Sequence, residues 1–321
     1  MRFPLLCLFA VLFLGRACAE EPFLKKGDVI ALVGGEDMVV SSEYGYLELL
    51  VTRALPDYQL RFRNLAWEGD TVFAQFRDLN FPSWEEQLDK IGATVVICQF
   101  GQMESLAGRK QLPEFIAAYQ KLLDRFSAGG KRRLVIVPPT DVWRIPAISA
   151  AKEQGRSDDW NAYAHAAEEI ARDGRLRFAD YTALDDAEMC RDGIHLSATG
   201  QLKQAFEIAS TLAPFEAVAN AGVEQKKGSH SVTLPKLHGA GALDAPDREG
   251  LRQLIVAKNR LWFNYWRPQN WAFLAGDRTN QPSSRDWRDP SKRWFPAERE
   301  EFLPLIEAKE KEIDALAAKS K

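Results

Sequence analysis

The sequence predicts an α/β three-layer sandwich with about five parallel strands, and three observations lead there. Short, continuous apolar runs recur between segments of helical period. Each run is followed by a stretch long enough to cross back over a sheet as a helix. Within the runs 28–33, 94–100 and 133–137 apolar residues follow one another at successive positions, as in strands covered on both faces. Ligands of such sheets bind at the carboxyl ends of the strands, so the loops that follow the strands are where chemistry is expected.

The elements follow in order. Residues 28–33 read as the first strand, and the amphipathic stretch 43–54 as its helix. Residues 59–65 come next, with a helix around 84–91, and then the strand 94–100 with the helix 112–126. The run 133–137 stops at Pro138-Pro139, because proline has no N–H to give a ladder, and a helix follows from about 158 to 172. Residues 176–180 are the last strand, and 198–212 the last helix of the sandwich.

From about Phe215 the character changes. Residues 222–247 are polar and rich in Gly and Pro, contain His230 and His238, and read as a loop or linker. A helix is expected over 248–263, then an aromatic and Arg-rich stretch over 262–295 that holds five of the nine Trp, then a charged helix over 297–318. This divides the chain into an α/β domain, 20–215, and a helical, partly irregular C-terminal extension, 216–321.

Residues 1–19 combine Arg2, an apolar run from Leu5 to Gly15, and Ala17-Cys18-Ala19. A basic start, an apolar middle and a small-x-small end form a secretory signal peptide, cut after Ala19. The run is too short to span a bilayer, and no later segment reaches that length. The expectation is an exported protein, periplasmic or extracellular, without stable membrane insertion. Removing Arg2 and Arg16 leaves 40 basic residues against 45 acidic ones. That mild negative balance gives nucleic acid no electrostatic reason to bind. Two of the four Cys, Cys98 and Cys190, remain after cleavage. Export permits a disulfide between them, but Cys98 sits in an apolar strand and reads as a buried thiol.

The most informative segment is Asp192-Gly-Ile-His195, on a turn ahead of a helix. A carboxylate three residues before an imidazole can hold the ring in one tautomer, the orienting half of a hydrolase site. Nucleophile and oxyanion donors must then come from other strand-end loops. The first strand ends in Leu32-Val33-Gly34-Gly35-Glu36-Asp37. The second leads into Asn64-Leu-Ala-Trp-Glu-Gly69-Asp-Thr71, and the third into Phe100-Gly101-Gln102-Met103-Glu104.

In order and placement these four segments resemble the sequence blocks of the Ser-Gly-Asn-His hydrolases, the SGNH/GDSL esterase and lipase superfamily. The resemblance spans roughly residues 27–212 and implies a flavodoxin-like sheet. It implies that Gly69 donates its N–H to the oxyanion and that His195 is the base, oriented by Asp192. It puts Glu36 at the nucleophilic Ser position, Gly35 at the neighbouring Asp, and Met103 at the side-chain oxyanion donor. Gly34, Gly35, Asp37, Gly101, Gln102, Met103 and Glu104 are then expected to line the cleft. The stretches Phe263-Asn-Tyr-Trp-Arg267 and Gly276-Asp-Arg278 are similar to extensions on an exported bacterial branch of the superfamily, whose Ser block is often altered.

The substitutions change the chemistry. A thioether donates nothing, and one lost oxyanion donor costs about 3–4 kcal/mol. Gln102 has amide N–H groups, but adjacent residues usually project in different directions. A carboxylate attacking an ester would form an anhydride, and an ion pair between Glu36 and His195 would raise the imidazole pKa. Ser41 and Ser42 lie just downstream and read as helix N-caps. Glu36, Asp37, Glu104, Asp192 and His195 could converge on a cation, but carboxylates are common in such loops, so no metal or cofactor is assigned. In the extension, Trp262, Trp266 and Trp271 are expected to cover the sandwich, with Arg residues paired to Asp277, Asp286 and Asp289. The loop 280–286 is a candidate cover for the cleft, and Arg278 or Arg285 a candidate positive end for an anionic substrate.

The functional expectation is a hydrolase of ester bonds on an acylated or sulfated carbohydrate, with Asp192-His195 as base pair and Glu36 in a non-Ser role. The alternative is a catalytically degenerate module, a pseudoenzyme that binds glycan or scaffolds a partner. A small-molecule or carbohydrate ester is the expected partner, and no oligomeric state is assigned.

Overall fold

Five parallel strands form one sheet in the order β2-β1-β3-β4-β5. They are β1 Val29–Gly34, β2 Arg61–Asn64, β3 Val95–Gln99, β4 Arg133–Val137 and β5 Arg177–Phe178. The computed structural model describes residues 22–77, 80–141, 150–180, 190, 192–222 and 246–319, with backbone alone at 150–154, 222 and 246–247. The expected signal peptide, His230 and His238 lie outside the described residues.

The apolar runs explain the layers. Ile30 and Leu32 of β1, Val95 and Ile97 of β3, and Val135 and Val137 of β4 face one core. The residues between them, Ala31, Val33, Val96, Cys98, Leu134 and Ile136, face the other. Both faces are dry, and each fully buried aliphatic side chain contributes about 1.5–3 kcal/mol. The helices α1 Glu36–Tyr44 and α2 Tyr46–Ala54 follow β1. Next are α3 Trp84–Lys90, α4 Gln102–Ser105, α5 Leu112–Ser127, α6 Ala150–Asp173 and α7 Ala198–Leu212. On α5, Phe115, Tyr119, Leu122, Leu123 and Phe126 form a single buried stripe of helical period. Ser83 and Glu86 close a capping box at the start of α3.

Three boundaries differ from the sequence reading. The stretch expected as one helix over 43–54 belongs to two, because the chain turns left-handed at Gly45 and its N–H closes α1 on the Ser41 carbonyl. α6 begins before 158, where Lys152, Glu153, Gln154 and Arg156 favour helix around Gly155 without any apolar period to announce it. The final helix is two, α11 Trp294–Glu300 and α12 Phe302–Lys319.

The extension also contains α8 Phe215–Gly222, α9 Pro246–Trp266 and the single turn α10 Trp271–Leu274. α9 packs on α1, α2, β2 and α12. Trp262, Trp266 and Trp271 are buried, and Trp262 Nε1 donates to the Asn64 carbonyl at 2.8 Å. Lys258 is fully buried, with Nζ 2.7 Å from Glu48 and 3.3 Å from the Phe62 carbonyl. Beside it Arg63 meets Glu310 at 2.6 Å, and Arg61 meets Asp314 at 2.8 Å. The expected pairing of arm arginines with Asp277, Asp286 and Asp289 is not what forms. Arg267 instead reaches back to Glu68 at 2.7 Å and lies 3.9 Å from the centre of the Trp67 ring, while Asp289 takes Lys292. A planar guanidinium gains more from an aromatic face and a half-buried carboxylate than from a solvated loop.

Candidate active site

β1 ends where it does because Gly34 has no side chain. Its φ is +149°, and a Cβ there would stand 2.4 Å from the Gln99 carbonyl oxygen of β3. The chain then passes through extended Gly35 and enters α1 at Glu36. The amides of the first helical turn have no carbonyl four residues back, and the first such bond is Val39 to Gly35 at 3.2 Å. Glu36 thus sits at the amide-rich end of a helix on the strand-end surface.

The loop after β2 is fastened from both ends. Asn64 Oδ1 accepts the Ala66 N–H at 2.8 Å, and its Nδ2 donates to the Met38 carbonyl and the Ser42 hydroxyl. Asp70, almost fully buried, holds Arg77 in a two-point pair at 2.7 Å, and Arg77 lies over the Trp67 ring. Between these fasteners Gly69 takes φ +77°, and its N–H finds no acceptor among the described residues. That conformation, easy for glycine, leaves an unpaired donor in the lining of the cleft.

The loops after β3 and β5 are tied to each other and to this one. Glu104 is buried and accepts the Gly101 N–H at 2.9 Å and the Val72 N–H at 2.7 Å. Gln102 Nε2 donates to the Ile194 carbonyl at 3.2 Å. Asp192 Oδ1 accepts the N–H groups of Ile194 and His195 at 2.9 and 3.1 Å, and Oδ2 lies 2.9 Å from His195 Nδ1. The carboxylate can only accept, so Nδ1 carries the proton and Nε2 presents a lone pair.

The result is a cavity of about 180 Å³ lined by Gly35, Glu36, Asp37, Gly69, Gly101, Gln102, Met103, Glu104 and His195. Nine residues from four separated sequence segments meet there. Gly34 does not line it, since β1 and β3 close over that position, and Asp192 stands behind the imidazole rather than in the cavity. The sequence reading missed Asp70, Gln99, Phe100, Pro139, Thr140 and Ile194, which also line it. Pro138-Pro139 directly after a strand was the available signal for the fourth loop. Gln99 Nε2 donates to the Pro138 carbonyl at 3.1 Å and to the Thr140 hydroxyl at 3.4 Å.

The electrostatics separate the acids. The imidazole hydrogen bond, with two backbone amides, holds Asp192 at about 2. The same bond raises the His195 pKa, and the nearby charge of Glu36 adds a smaller push. Burial raises the Glu36 pKa, and Glu68 raises it further. Burial pushes Asp37 up to about 6 against the stabilising Thr140 hydroxyl. Burial also raises Glu104, whose accepted amides pull the other way.

The structure departs from the sequence reading at some of these residues and agrees with it at others. No ion pair within 4 Å joins Glu36 to His195; their coupling is through space. Gln102 is committed to positioning the His195 loop, not to an oxyanion. Ser41 and Ser42 lie inside α1 and cap nothing at its start, because the helix already begins at Glu36. Among the described residues no three metal-ligating side chains converge. Arg285 lines a separate surface hollow with Trp287, and Arg278 packs over Phe273, so neither reaches the cavity. Cys98 and Cys190 are free thiols, one buried in β3 and the other in the His195 turn.

No protein-family model matches the sequence. No curated protein matches it either. Among solved structures, a gut microbial diltiazem-metabolizing enzyme is similar over 92% of this chain and 95% of its own, at 12% identity and a TM-score of 0.55. An acetyl xylan esterase covers 57% of this chain and 99% of its own length, at 14% identity and a TM-score of 0.44. A carbohydrate acetylesterase from Sinorhizobium meliloti covers 58% and 98%, at 13% identity and 0.44. The fold of this chain is a parallel five-stranded α/β sandwich with a helical C-terminal extension, and it shares that fold with the diltiazem-metabolizing enzyme over nearly its whole length. No helix among the described residues is long and apolar enough to cross a membrane.

Proposed function

We propose that the chain is an exported hydrolase that removes a short acyl group from a carbohydrate ester, using water as the nucleophile. The observation that supports this reading is the Asp192–His195 couple, whose imidazole lines the same small cavity as Gly69 and as Glu36 at the amide-rich start of α1. His195 Nε2 takes a proton from a water oriented by Glu36, and the hydroxide adds to the ester carbonyl. The amides of Gly69 and Glu36 receive the negative oxygen. Collapse of this intermediate breaks the bond to the sugar oxygen, which takes the proton back from His195, leaving a carboxylic acid and an alcohol.

The charge of the cavity supports an acyl over a sulfate ester. Its lining has four carboxyls, Glu36, Asp37, Asp70 and Glu104, of which Asp70 is paired with Arg77 outside the lining, and no Lys or Arg, which opposes an anionic group. Its size suits a short acyl chain. Export rests on the basic, apolar and small-residue pattern of residues 1–19.

A second reading is favoured by Glu36 and Met103 themselves: a cleft that binds glycan without turnover. Acetate release from residues 20–321 on p-nitrophenyl acetate and acetylated xylan, with His195→Ala alongside, separates the two. Hydrolysis that vanishes in His195→Ala is the expected result. No release above the variant on either substrate rejects the hydrolase reading. Glu36→Gln is expected to slow turnover by about tenfold, the worth of one oriented hydrogen bond. Unchanged turnover in that variant would remove Glu36 from the mechanism.

A further inference from the structure

A second cavity of about 490 Å³ lies beside the cleft, between α1, the loop after β2 and α9 of the extension. It is larger than the catalytic cavity and of the size that holds small-molecule ligands. The two are neighbours by construction. Glu36, Val39 and Glu43 are spaced i, i+3 and i+7, so they share one face of α1, and that face starts in the cleft and ends in the second cavity. Glu36 and Glu43 are thus about 10 Å apart along the helix. On the facing loop, Glu68 lines the second cavity and Gly69 the first.

The lining selects a ligand class. Phe263, with the buried Trp262 and Trp266, supplies apolar aromatic surface. Around it stand groups with hydrogen-bonding capacity to spare. Asn259 donates one amide N–H to the Ser42 carbonyl and keeps its own carbonyl oxygen free. Glu43 is exposed and has no ion pair among the described residues, and Arg260 is exposed on the opposite wall. Glu68 is already neutralised by Arg267 at 2.7 Å. One carboxylate and one guanidinium therefore remain, a balance that favours neither an anion nor a cation. Aromatic surface for C–H faces, with acceptors and donors for hydroxyls, matches a neutral sugar ring.

We infer that the cavity between α1 and α9 binds a neutral saccharide ring, one or two residues along the glycan from the sugar whose ester occupies the cleft. The inference rests on the carbohydrate reading above. It gives the extension a function: α9 supplies one wall of a subsite that the sandwich alone lacks.

Ala257, an exposed residue on that wall, allows a test that removes no existing contact. Ala257→Trp fills the cavity, and Glu43→Gln, isosteric and exposed, removes one acceptor charge. Binding of neutral tetrasaccharides (xylo-, cello-, manno- and N-acetylchito-) to residues 20–321 is measured by calorimetry. At least one is expected to bind wild type, to lose binding in Ala257→Trp, and to bind about fivefold more weakly in Glu43→Gln, the loss of about 1 kcal/mol from one charged hydrogen bond. Binding by none of the four, or binding that survives Ala257→Trp, overturns the inference. Turnover keeps its failure distinct from that of the hydrolase reading. Ala257→Trp should leave p-nitrophenyl acetate hydrolysis unchanged while raising KM for an acetylated oligosaccharide about tenfold. Equal losses on both substrates would overturn the subsite. Saccharide binding that Ala257→Trp abolishes, in a wild type that hydrolyses neither substrate, would uphold the subsite and reject the hydrolase.

Discussion

Two acid–base pairs in this chain are made from similar contacts and behave in opposite ways. Asp192 and His195 meet at 2.9 Å in a half-open turn, and Glu48 and Lys258 meet at 2.7 Å in a fully buried seam between α2 and α9. In the first, the partner dominates: the carboxyl is held at about 2 and the imidazole pKa rises. In the second, burial dominates: the Glu48 pKa rises and that of Lys258 falls. The difference lies in solvent. Water remains to stabilise charge in the turn, so the hydrogen bond sets the shift, whereas in the seam both charges lose hydration that the pair only partly returns. The first pair is open on one side and can exchange a proton with a ligand. The second is closed by Phe62 and its neighbours and can only hold the extension in place.

The largest effects come from breaking each pair. His195→Ala is expected to reduce ester hydrolysis by about 10⁴-fold, read on p-nitrophenyl acetate, with the urea midpoint unmoved. Lys258→Ala should do the reverse. It strands Glu48 in the seam at a cost of about 4 kcal/mol in urea unfolding, while the folded fraction keeps its turnover. A tie between the loops after β2 and β3 gives a smaller effect. Glu104→Gln would give one of the two amides held by Glu104 an N–H instead of an acceptor, at about 2 kcal/mol, and loosen the cleft loops.

Finer changes sharpen the contrast. His195 must be neutral to act as base, so the rate should fall as pH drops through its raised pKa, with a midpoint above the ordinary imidazole value of about 6.5. Asp192→Asn removes the main cause of that rise, so the midpoint should move down in the pH–rate profile along with the overall rate. A midpoint that stays put would mean another group titrates. Smallest of all, Glu48→Leu combined with Lys258→Met should leave stability within about 1 kcal/mol of wild type, because apolar groups of similar volume avoid the desolvation.

Much of the sandwich was legible because it depends on local pattern. The runs around Ile30, Val96 and Val135 are apolar at consecutive positions, and a strand buried on both faces requires that wherever it lies in the sheet. The Asp192–His195 pair was equally readable, since three residues on a turn bring the groups together without help from the rest of the chain. Glu104 shows where such reading ends. It lines the cleft as expected, but its carboxylate is spent on the Val72 and Gly101 amides, and the Val72 contact joins the loop after β3 to the loop after β2, which no local pattern announces. Gln102 also lines the cleft as expected, but its tie to Ile194, ninety-two residues away, could not be read locally.

What the sequence determined by itself was periodicity, turn chemistry and the order of the strand-end blocks, all set by interactions over a few residues. Tertiary structure decided which polar groups were spent on holding loops together and which were left facing the cleft. It also decided that Lys258 would be buried and that α9 would wall a second cavity. Those outcomes depend on desolvation and on contacts between distant segments, and a side chain's chemistry is set by what surrounds it once the chain has closed.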